Sequence, residues 1–246
     1  MARVQIVAED IELDSPVLVE GLPGAGLVGK IAADHLVEEL DMDYYGAFHC
    51  EGLPRVAVYG GGSSDVRPPV RLYADEATDL LVLQSDVPVS PTQASQFSSC
   101  VSGWLDSVNA LPLYLSGLPE EKDGVPKLYG IATGEAESAL EEAEIEPPSG
   151  SGLISGPTGA LLHRASETGL DAVGLIVQTD ARFPDPESAR VLLEDGVKPI
   201  ADLDADTNRL IEQADEIQTA REQLIQRLED ANRDESTEAQ PIRGFQ

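Results

Sequence analysis

The amino-acid sequence predicts an α/β protein in which helices flank a mixed, largely parallel sheet. Short β-type runs alternate with apolar residues at helical spacing over most of the chain. The run VLVEG at 17–21 leads into a glycine turn and then a helix, which is the first half of a βα unit. With 246 residues, 41% of them hydrophobic, the chain can bury a substantial core.

The predicted strands and helices follow in order along the chain. After the strand at 17–21, helical spacing of apolar residues continues to Leu40. Further β-type runs lie at 44–51, 55–61, 70–86 (two strands around a turn at 75–79), 111–117, 127–134, 152–156 and 171–180. Helices are predicted at 158–168 and 186–194. This alternation implies a sheet that is covered on both faces.

One further helix carries its own start signal. Ser90 is placed to cap it, Pro91 suits its first position, and Gln93 completes a capping box. The residues on its apolar face are Ala94, Phe97, Val101, Trp104 and Val108. We therefore expect a helix that begins directly after Ser90.

The sequence pattern changes near residue 202, where apolar residues begin to step by three and four. A mean step of about 3.5 residues is typical of a coiled coil, and an amphipathic helix packed on its own domain explains it equally well. We predict an α/β domain at 1–202, a C-terminal helix at 203–232 and a flexible acidic tail at 233–246. The helix residues expected at an oligomer contact are Leu210, Ile217, Leu224 and Leu228.

The composition is strongly acidic, with 45 Asp and Glu against 16 Lys and Arg and a net charge of −29. Such a protein repels nucleic acid and anionic membranes, so neither is an expected partner. Salt adaptation explains the acidity, because concentrated salt screens the self-repulsion; an acidic mesophile protein is the alternative. Without a long apolar run or a signal-peptide core, we expect a cytoplasmic protein of a halophilic archaeon.

The residue types used in catalysis and metal binding form no complete pattern. Cys50 and Cys100 lie far apart, which indicates neither a metal site nor a disulfide framework, so both should pack as small hydrophobic residues. The G-x-S-x-G pattern is not met at Ser155. Histidines occur in separate predicted elements, at His35, His49 and His163. We predict no catalytic and no metal site.

The stretch GLPGAGLVGK at 21–30 satisfies part of two nucleotide-binding patterns. Gly24, Gly26 and Gly29 spell G-x-G-x-x-G, and Gly24 to Lys30 spell the front of a P-loop. A P-loop needs Ser or Thr directly after the lysine to ligate magnesium, and Ile31 stands there. The P-loop is therefore incomplete.

The dinucleotide pattern is weakened in turn by Pro23 inside the glycine turn. A structural role explains the glycines better: Gly24 and Gly26 would permit a tight turn, and Gly29 would let the helix approach the sheet. We predict no cofactor. In the alternative, Lys30 contacts a phosphate and the amides of the turn form an anion cradle.

Three segments, taken in order, resemble the proteasome assembly chaperone family, in its archaeal and bacterial branch related to the second eukaryotic assembly chaperone. They are VLVEGLPGAGLVGKIAADHL at 17–36, GLISGPTGALL at 152–162 and FPDPESARVLL at 183–193. The resemblance covers roughly residues 17–214. It implies a phosphorylase/hydrolase-like α/β fold, self-association and a non-catalytic role, and the residues lend no support to the ATP-grasp label that many family members carry.

The resemblance also implies a docking segment at the C-terminus, where relatives use a hydrophobic–tyrosine–any motif that inserts between α-ring subunits. The matching residues are Gly244, Phe245 and Gln246, of which Phe245 keeps the aromatic ring and Gly244 lacks the hydrophobic side chain. We expect a homo-oligomeric, non-catalytic chaperone or adaptor that binds α-type subunits of the 20S proteasome. The alternatives are a nucleotide- or small-molecule-binding enzyme that uses the turn at 21–30, and a self-assembling scaffold.

Overall fold

The computed structural model describes residues 3–51, 53–59 and 64–214. Within these ranges the strands are β1 (Arg3–Ile6), β2 (Val17–Gly21), β3 (Asp43–His49), β4 (Val70–Asp75), β5 (Leu80–Ser85), β6 (Leu111–Pro119), β7 (Leu128–Thr133) and β8 (Ala172–Thr179). The helices are α1 (Val28–Glu39), α2 (Ala94–Ser107), α3 (Glu137–Glu142), α4 (Gly156–Thr168), α5 (Pro186–Val191) and α6 (Lys198–Ala201). A 3-10 turn (Ala25–Leu27) precedes α1, and a π-helical turn (Leu192–Val197) joins α5 to α6.

The strands form one sheet in the order β1-β3-β4-β5-β2-β6-β8-β7. The four neighbouring strands β5, β2, β6 and β8 are parallel, whereas β1, β3, β4 and β7 pair antiparallel with their neighbours. The predicted mixed sheet flanked by helices is confirmed. Because β2 lies between two parallel neighbours, its carboxyl end opens onto the centre of one sheet edge, where α/β folds bind ligands.

Hydrophobic cores lie on both faces of the sheet. Val28 and Leu36 of α1 pack on one face, and Phe97 of α2 and Leu161 of α4 pack on the other. The run VLVEG serves both, because successive strand residues point to opposite faces, as Leu18 and Val19 do. This burial on both faces explains why the central strands are continuous apolar runs.

The chain after α6 folds back onto the domain. Leu203, Ala205 and Leu210 are buried in the core under α1 and α5. Residues 208–214 are helical, and the described part of the chain stops there. Most of the predicted helix at 203–232 and the whole tail at 233–246 lie outside the described residues, so these boundaries stay predictions. No helix within the described ranges has the length and apolar character needed to cross a membrane.

Two predicted strands are wrong. The described part of the run at 55–61, residues 55–59, contributes one isolated bridge, Val58 to Arg67, inside the long connection between β3 and β4. The run at 152–156 is an irregular segment before α4, with Leu153 87% exposed. A further strand at 152–156 could not pair with β6, because β6 already lies between β2 and β8 in the sheet. Two elements of the structure, β1 and α3, were not among the predicted ones.

The predicted start of α2 is wrong by one turn. The helix begins at Ala94, and the Ser90 hydroxyl lies 2.9 Å from the Thr92 hydroxyl instead of capping helical amides. The backbone N–H of Gln93 donates to the Ser90 carbonyl at 2.9 Å, so these residues form a separate turn before the helix.

The two cysteines form a disulfide, which corrects the prediction that they pack as isolated thiols. Cys50, just beyond β3, is joined to Cys100 of α2, with the Cα atoms 6.0 Å apart. Both lie in the core under α2 and α4. The fold brings them together across 50 residues of sequence, a proximity that their spacing cannot reveal.

Candidate functional site

The glycine turn lies at the carboxyl edge of the parallel strands, and Gly26 and Gly29 are among its glycines whose surroundings leave little room for a side chain. Gly26 has a φ of 61°, and a Cβ there would collide with the Thr179 hydroxyl. A Cβ on Gly29 would lie 3.2 Å from Leu115 Cβ, which confirms that this glycine lets α1 approach the sheet. Gly24 is extended, with φ −140° and open space around it, so the turn does not require glycine there.

Carboxylates of the chain itself surround Lys30. Its Nζ lies 2.8 Å from Asp34 Oδ2 and 3.5 Å from Asp86 Oδ1. Asp86 also pairs with Arg71, whose Nη1 is 2.6 Å away. Gln84 donates its side-chain amide to Asp34 at 2.7 Å. Side chains thus take the place that a phosphate would need beside Lys30.

The first of the three family-like segments is tied to the second by a buried carboxyl. Glu20 of β2 is completely buried, and its Oε2 accepts the backbone N–H of Leu115 at 3.1 Å. The Thr158 hydroxyl of α4 donates to Oε1 at 3.1 Å. Burial raises the pKa of Glu20 to about 8, although the hydrogen bonds from Leu115 and Thr158 act in the opposite direction. Glu20 is therefore mainly uncharged at neutral pH.

The first segment is tied to the third through Asp185. The Asp185 backbone N–H donates to the Gly26 carbonyl at 2.9 Å. Its carboxylate accepts hydrogen bonds from Thr179 at 2.9 Å, Ser188 at 2.8 Å and Lys122 at 3.0 Å. Burial opposes ionisation of this carboxyl, but the donors from Lys122, Ser188 and Thr179 outweigh it and hold its pKa below the usual value.

All three segments therefore meet at the carboxyl edge of β2, β6 and β8, in what we call the segment junction: Glu20 with Thr158, and Gly26 with Asp185. The Glu20–Thr158 contact joins residues 138 positions apart, and the Gly26–Asp185 contact joins residues still farther apart. Its polar groups are satisfied by one another, which suits a structural role. In the described ranges no set of three or more His, Cys, Asp or Glu side chains is placed to hold a metal.

The predicted partner-contact residues are mostly beyond the described chain. Leu210 is the exception: it is 1% exposed and packs in the core under α1 and α5, so its side chain contacts its own domain. The remaining predicted docking and oligomer residues lie outside the described residues: Ile217, Leu224, Leu228, Gly244, Phe245 and Gln246. Their roles stay predictions.

Sequence reasoning missed two adjoining cavities that share Pro119 and Glu120. The first, of about 650 Å³, surrounds Lys122 and the third segment and carries acidic side chains. The second, of about 640 Å³, we call the apolar groove; the loop at 148–152 forms one of its walls. Its apolar side chains include Leu118, Tyr129, Ile131, Leu153, Ile154, Leu162 and Ile176. The Gly/Ser-rich loop was the one sequence feature that could have indicated the groove. Its composition alone predicted only an exposed connection.

Comparisons with known proteins match this architecture. The model of the PAC2 family matches residues 18–225. An uncharacterised protein of Methanocaldococcus jannaschii is 31% identical over 220 residues, covering 88% of each chain. Crystalline PbaA of Pyrococcus furiosus, described as an archaeal homolog of proteasome-assembly chaperone, is 27% identical with a TM-score of 0.78 over 96% of each chain. PbaB of the same organism, described as an archaeal proteasome activator, shares the fold at 23% identity, with a TM-score of 0.71 over 93% of this chain and 98% of PbaB.

Proposed function

The chain belongs to the PAC2 family, and on this basis we propose that it is a non-catalytic proteasome assembly chaperone or proteasome-binding adaptor that acts as a homo-oligomer. The observation that carries the proposal is the similarity to PbaA over nearly the full length of both chains. Its proposed partners are α-type subunits of the 20S proteasome and further copies of the chain, in the cytoplasm.

The contacts of the glycine turn and of Lys30 disfavour a nucleotide site at residues 21–30. Gly26 packs against Thr179 and accepts a hydrogen bond from Asp185, so the turn is closed by the chain's own groups. Lys30 is paired with Asp34 and Asp86. A phosphate placed there would have to displace two carboxylates, which disfavours the nucleotide-binding alternative.

The C-terminus is the proposed docking element. Phe245 offers an aromatic anchor of the kind that dominates binding energy. Ordering a tail costs a few kcal/mol, so a single tail would bind weakly. Several tails presented by one oligomer would bind far more tightly through their effective concentration.

A pull-down of α-type subunits in molar KCl tests this proposal. The chain lacking residues 244–246 is compared with the full chain. The full-length chain with the substitution Gln246→Ala serves as the matched control. We expect the full chain and the control to recover α-subunits and the shortened chain to lose them. Recovery equal in all three would remove the tail from the proposal, and recovery in none would refute the chaperone role.

A further inference from the structure

The connection between β3 and β4 carries a surface that is both apolar and basic. We call it the flap; it comprises residues 53–59 and 64–69. Tyr59 is 85% exposed, Val66 68% and Val56 47%, so three of the eight exposed large hydrophobic residues in the described ranges lie here. Apolar side chains gathered on one exposed segment mark a surface that gains from being covered by a partner.

The flap is held in place by contacts with its own chain. Val58 and Arg67 exchange two backbone hydrogen bonds of 2.9 Å. The Arg67 guanidinium donates to the Tyr73 hydroxyl at 3.2 Å and lies 5.0 Å from the centre of the Tyr44 ring. The disulfide at Cys50 fixes the start of the connection. The exposed side chains of the flap are therefore carried on an anchored support, which lowers the entropic cost of binding a partner.

The charge of the flap is opposite to that of the chain as a whole. A cavity beside the flap is lined by two arginines, Arg55 and Arg67, and by one carboxylate, Glu51, on a chain with a net charge of −29. Arg55 is exposed, and within the described residues no carboxylate pairs with it. An acidic surface on a partner would supply the missing counter-charge.

A complementary surface lies elsewhere on the same chain, in the cavity of about 650 Å³ around Lys122, which we call the acidic cavity. Five carboxylates line it against two cations, and prolines and one phenylalanine supply apolar walls. Both cations are already paired, Lys122 with Asp185 at 3.0 Å and Arg182 with a neighbouring aspartate at 2.9 Å. Glu121 is exposed and has no ion-pair partner in the part of the chain that the structure describes. The acidic cavity therefore presents unneutralised negative charge beside apolar side chains.

We propose that the flap of one copy of this chain docks into the acidic cavity of a second copy. The Tyr59 ring packs against the apolar walls of the cavity, and the Arg55 guanidinium pairs with the Glu121 carboxylate. A cavity of about 650 Å³ has room for both side chains. Molar salt screens the general repulsion between two acidic chains more than it screens a contact ion pair of about 3 Å, because the Debye length there is itself about 3 Å. The proposal deepens the homo-oligomer part of the proposed function and rests on it.

Within one chain the two surfaces stay apart. The flap joins β3 to β4, whereas the acidic cavity is built mainly from residues that follow β6 and β8. Four strand spacings, about 19 Å, separate β4 from β8 in the sheet. Since Val70 pairs with Ser85 at the end of β5, the flap lies at the same carboxyl edge as the cavity. Two copies that meet through this edge can therefore form the contact twice, and the second contact benefits from a high effective concentration.

Charge exchange in the full-length chain tests the contact. The mass in solution is measured by light scattering over a range of concentrations in molar KCl, with no proteasome subunit present. Arg55→Glu and Glu121→Lys should each raise the dissociation constant of self-association about a hundredfold, because like charges then face each other. Mixing the two variants, or combining both changes in one chain, should restore most of the association. Tyr59→Ser should raise the dissociation constant at least about tenfold, because an aromatic anchor is lost.

Two substitutions outside both surfaces produce the same changes in net charge and serve as matched controls. They are Arg164→Glu on α4 and Glu141→Lys on α3, and both should leave the dissociation constant unchanged. The three side chains changed in the contact are exposed, so these variants should fold, which urea unfolding checks. Variants that associate like the controls would overturn the proposal. So would a mixture and a double variant that stay as weak as the single variants.

The outcomes separate this contact from the proposed function. An oligomer that persists unchanged in the Arg55, Glu121 and Tyr59 variants would refute the contact alone and leave the homo-oligomer standing. That result is also the one expected if the flap binds a different acidic protein. A wild type that stays monomeric at every concentration would refute both the contact and the homo-oligomer. Neither result depends on the pull-down of α-subunits, which tests the chaperone role separately.

Discussion

Replacing Glu20 by glutamine should abolish one specific part of the pH dependence of stability. The Glu20 carboxyl is completely buried, and burial raises its pKa from 4.5 to about 8. Glutamine keeps the shape and an oxygen for the Leu115 N–H, and its amide faces the Thr158 hydroxyl. Unlike the carboxyl, it cannot ionise.

The sign of the effect follows from the raised pKa. The folded protein binds this proton more tightly than the unfolded chain does, so the stabilisation is complete below pH 4.5 and is lost as the pH rises towards about 8. Each pH unit in that window costs about 1.4 kcal/mol. The loss is therefore roughly 3 kcal/mol at pH 7 and approaches about 5 kcal/mol above pH 8.

Urea unfolding at pH 4, 7 and 9 in constant molar salt measures this loss. The other carboxylates titrate in both proteins, so the difference between wild type and Glu20→Gln isolates residue 20. Between pH 4 and 9, the free energy of unfolding of Glu20→Gln should rise by several kcal/mol relative to that of the wild type. Glu141→Gln, at an exposed residue of α3, is the control and should show no such gain. A wild-type-minus-Glu20→Gln difference that stays constant over this range would refute the reasoning.

Three further predictions concern the disulfide, the glycine turn and Lys30. Cys100→Ser should lower the free energy of unfolding by about 4 kcal/mol, because the disulfide closes a loop across 50 residues. Unfolding measured with and without reductant checks this value. A wild-type protein whose stability does not change with reductant would contradict the prediction. Gly26→Ala should lower the free energy of unfolding by about 1–3 kcal/mol, because φ at this position is positive and a Cβ would collide with Thr179. Gly24→Ala should change it by no more than about 0.5 kcal/mol. Equal losses for the two variants in urea unfolding would contradict the different roles assigned to these glycines. Lys30→Ala should cost at most about 1 kcal/mol, and calorimetry with ATP should give no binding heat before or after the change; micromolar binding lost in the variant would restore the nucleotide site.

The central strands could be predicted from the sequence because burial on both faces leaves an unbroken apolar run. Residues 80–83 illustrate this, since Leu80, Leu81, Val82 and Leu83 are all fully buried. The same signal misled at Leu153 and Ile154, two apolar neighbours that have no strand beside them. The local sequence pattern indicates how apolar a segment is, but it does not determine which strands lie beside that segment.

The segment junction shows the same limit for the site. Resemblance brought out the three segments in order, and the predicted role of Gly29 in close packing was confirmed. The Glu20–Thr158 contact joins residues 138 positions apart, and an acidic residue in so acidic a chain carries little signal by itself. The apolar groove depends on how a loop lies over two strands, which residue types do not encode.

The place of β2 in the sheet has a consequence for synthesis on the ribosome. This apolar strand pairs on one side with β5 and on the other with β6, which ends at Pro119. At a translation rate of about 5–20 residues per second, the synthesis of β6 is therefore complete roughly 5–20 seconds after that of β2. During that interval the nascent chain exposes an unpaired apolar edge, and chains that stop before β6 should aggregate where the full chain folds.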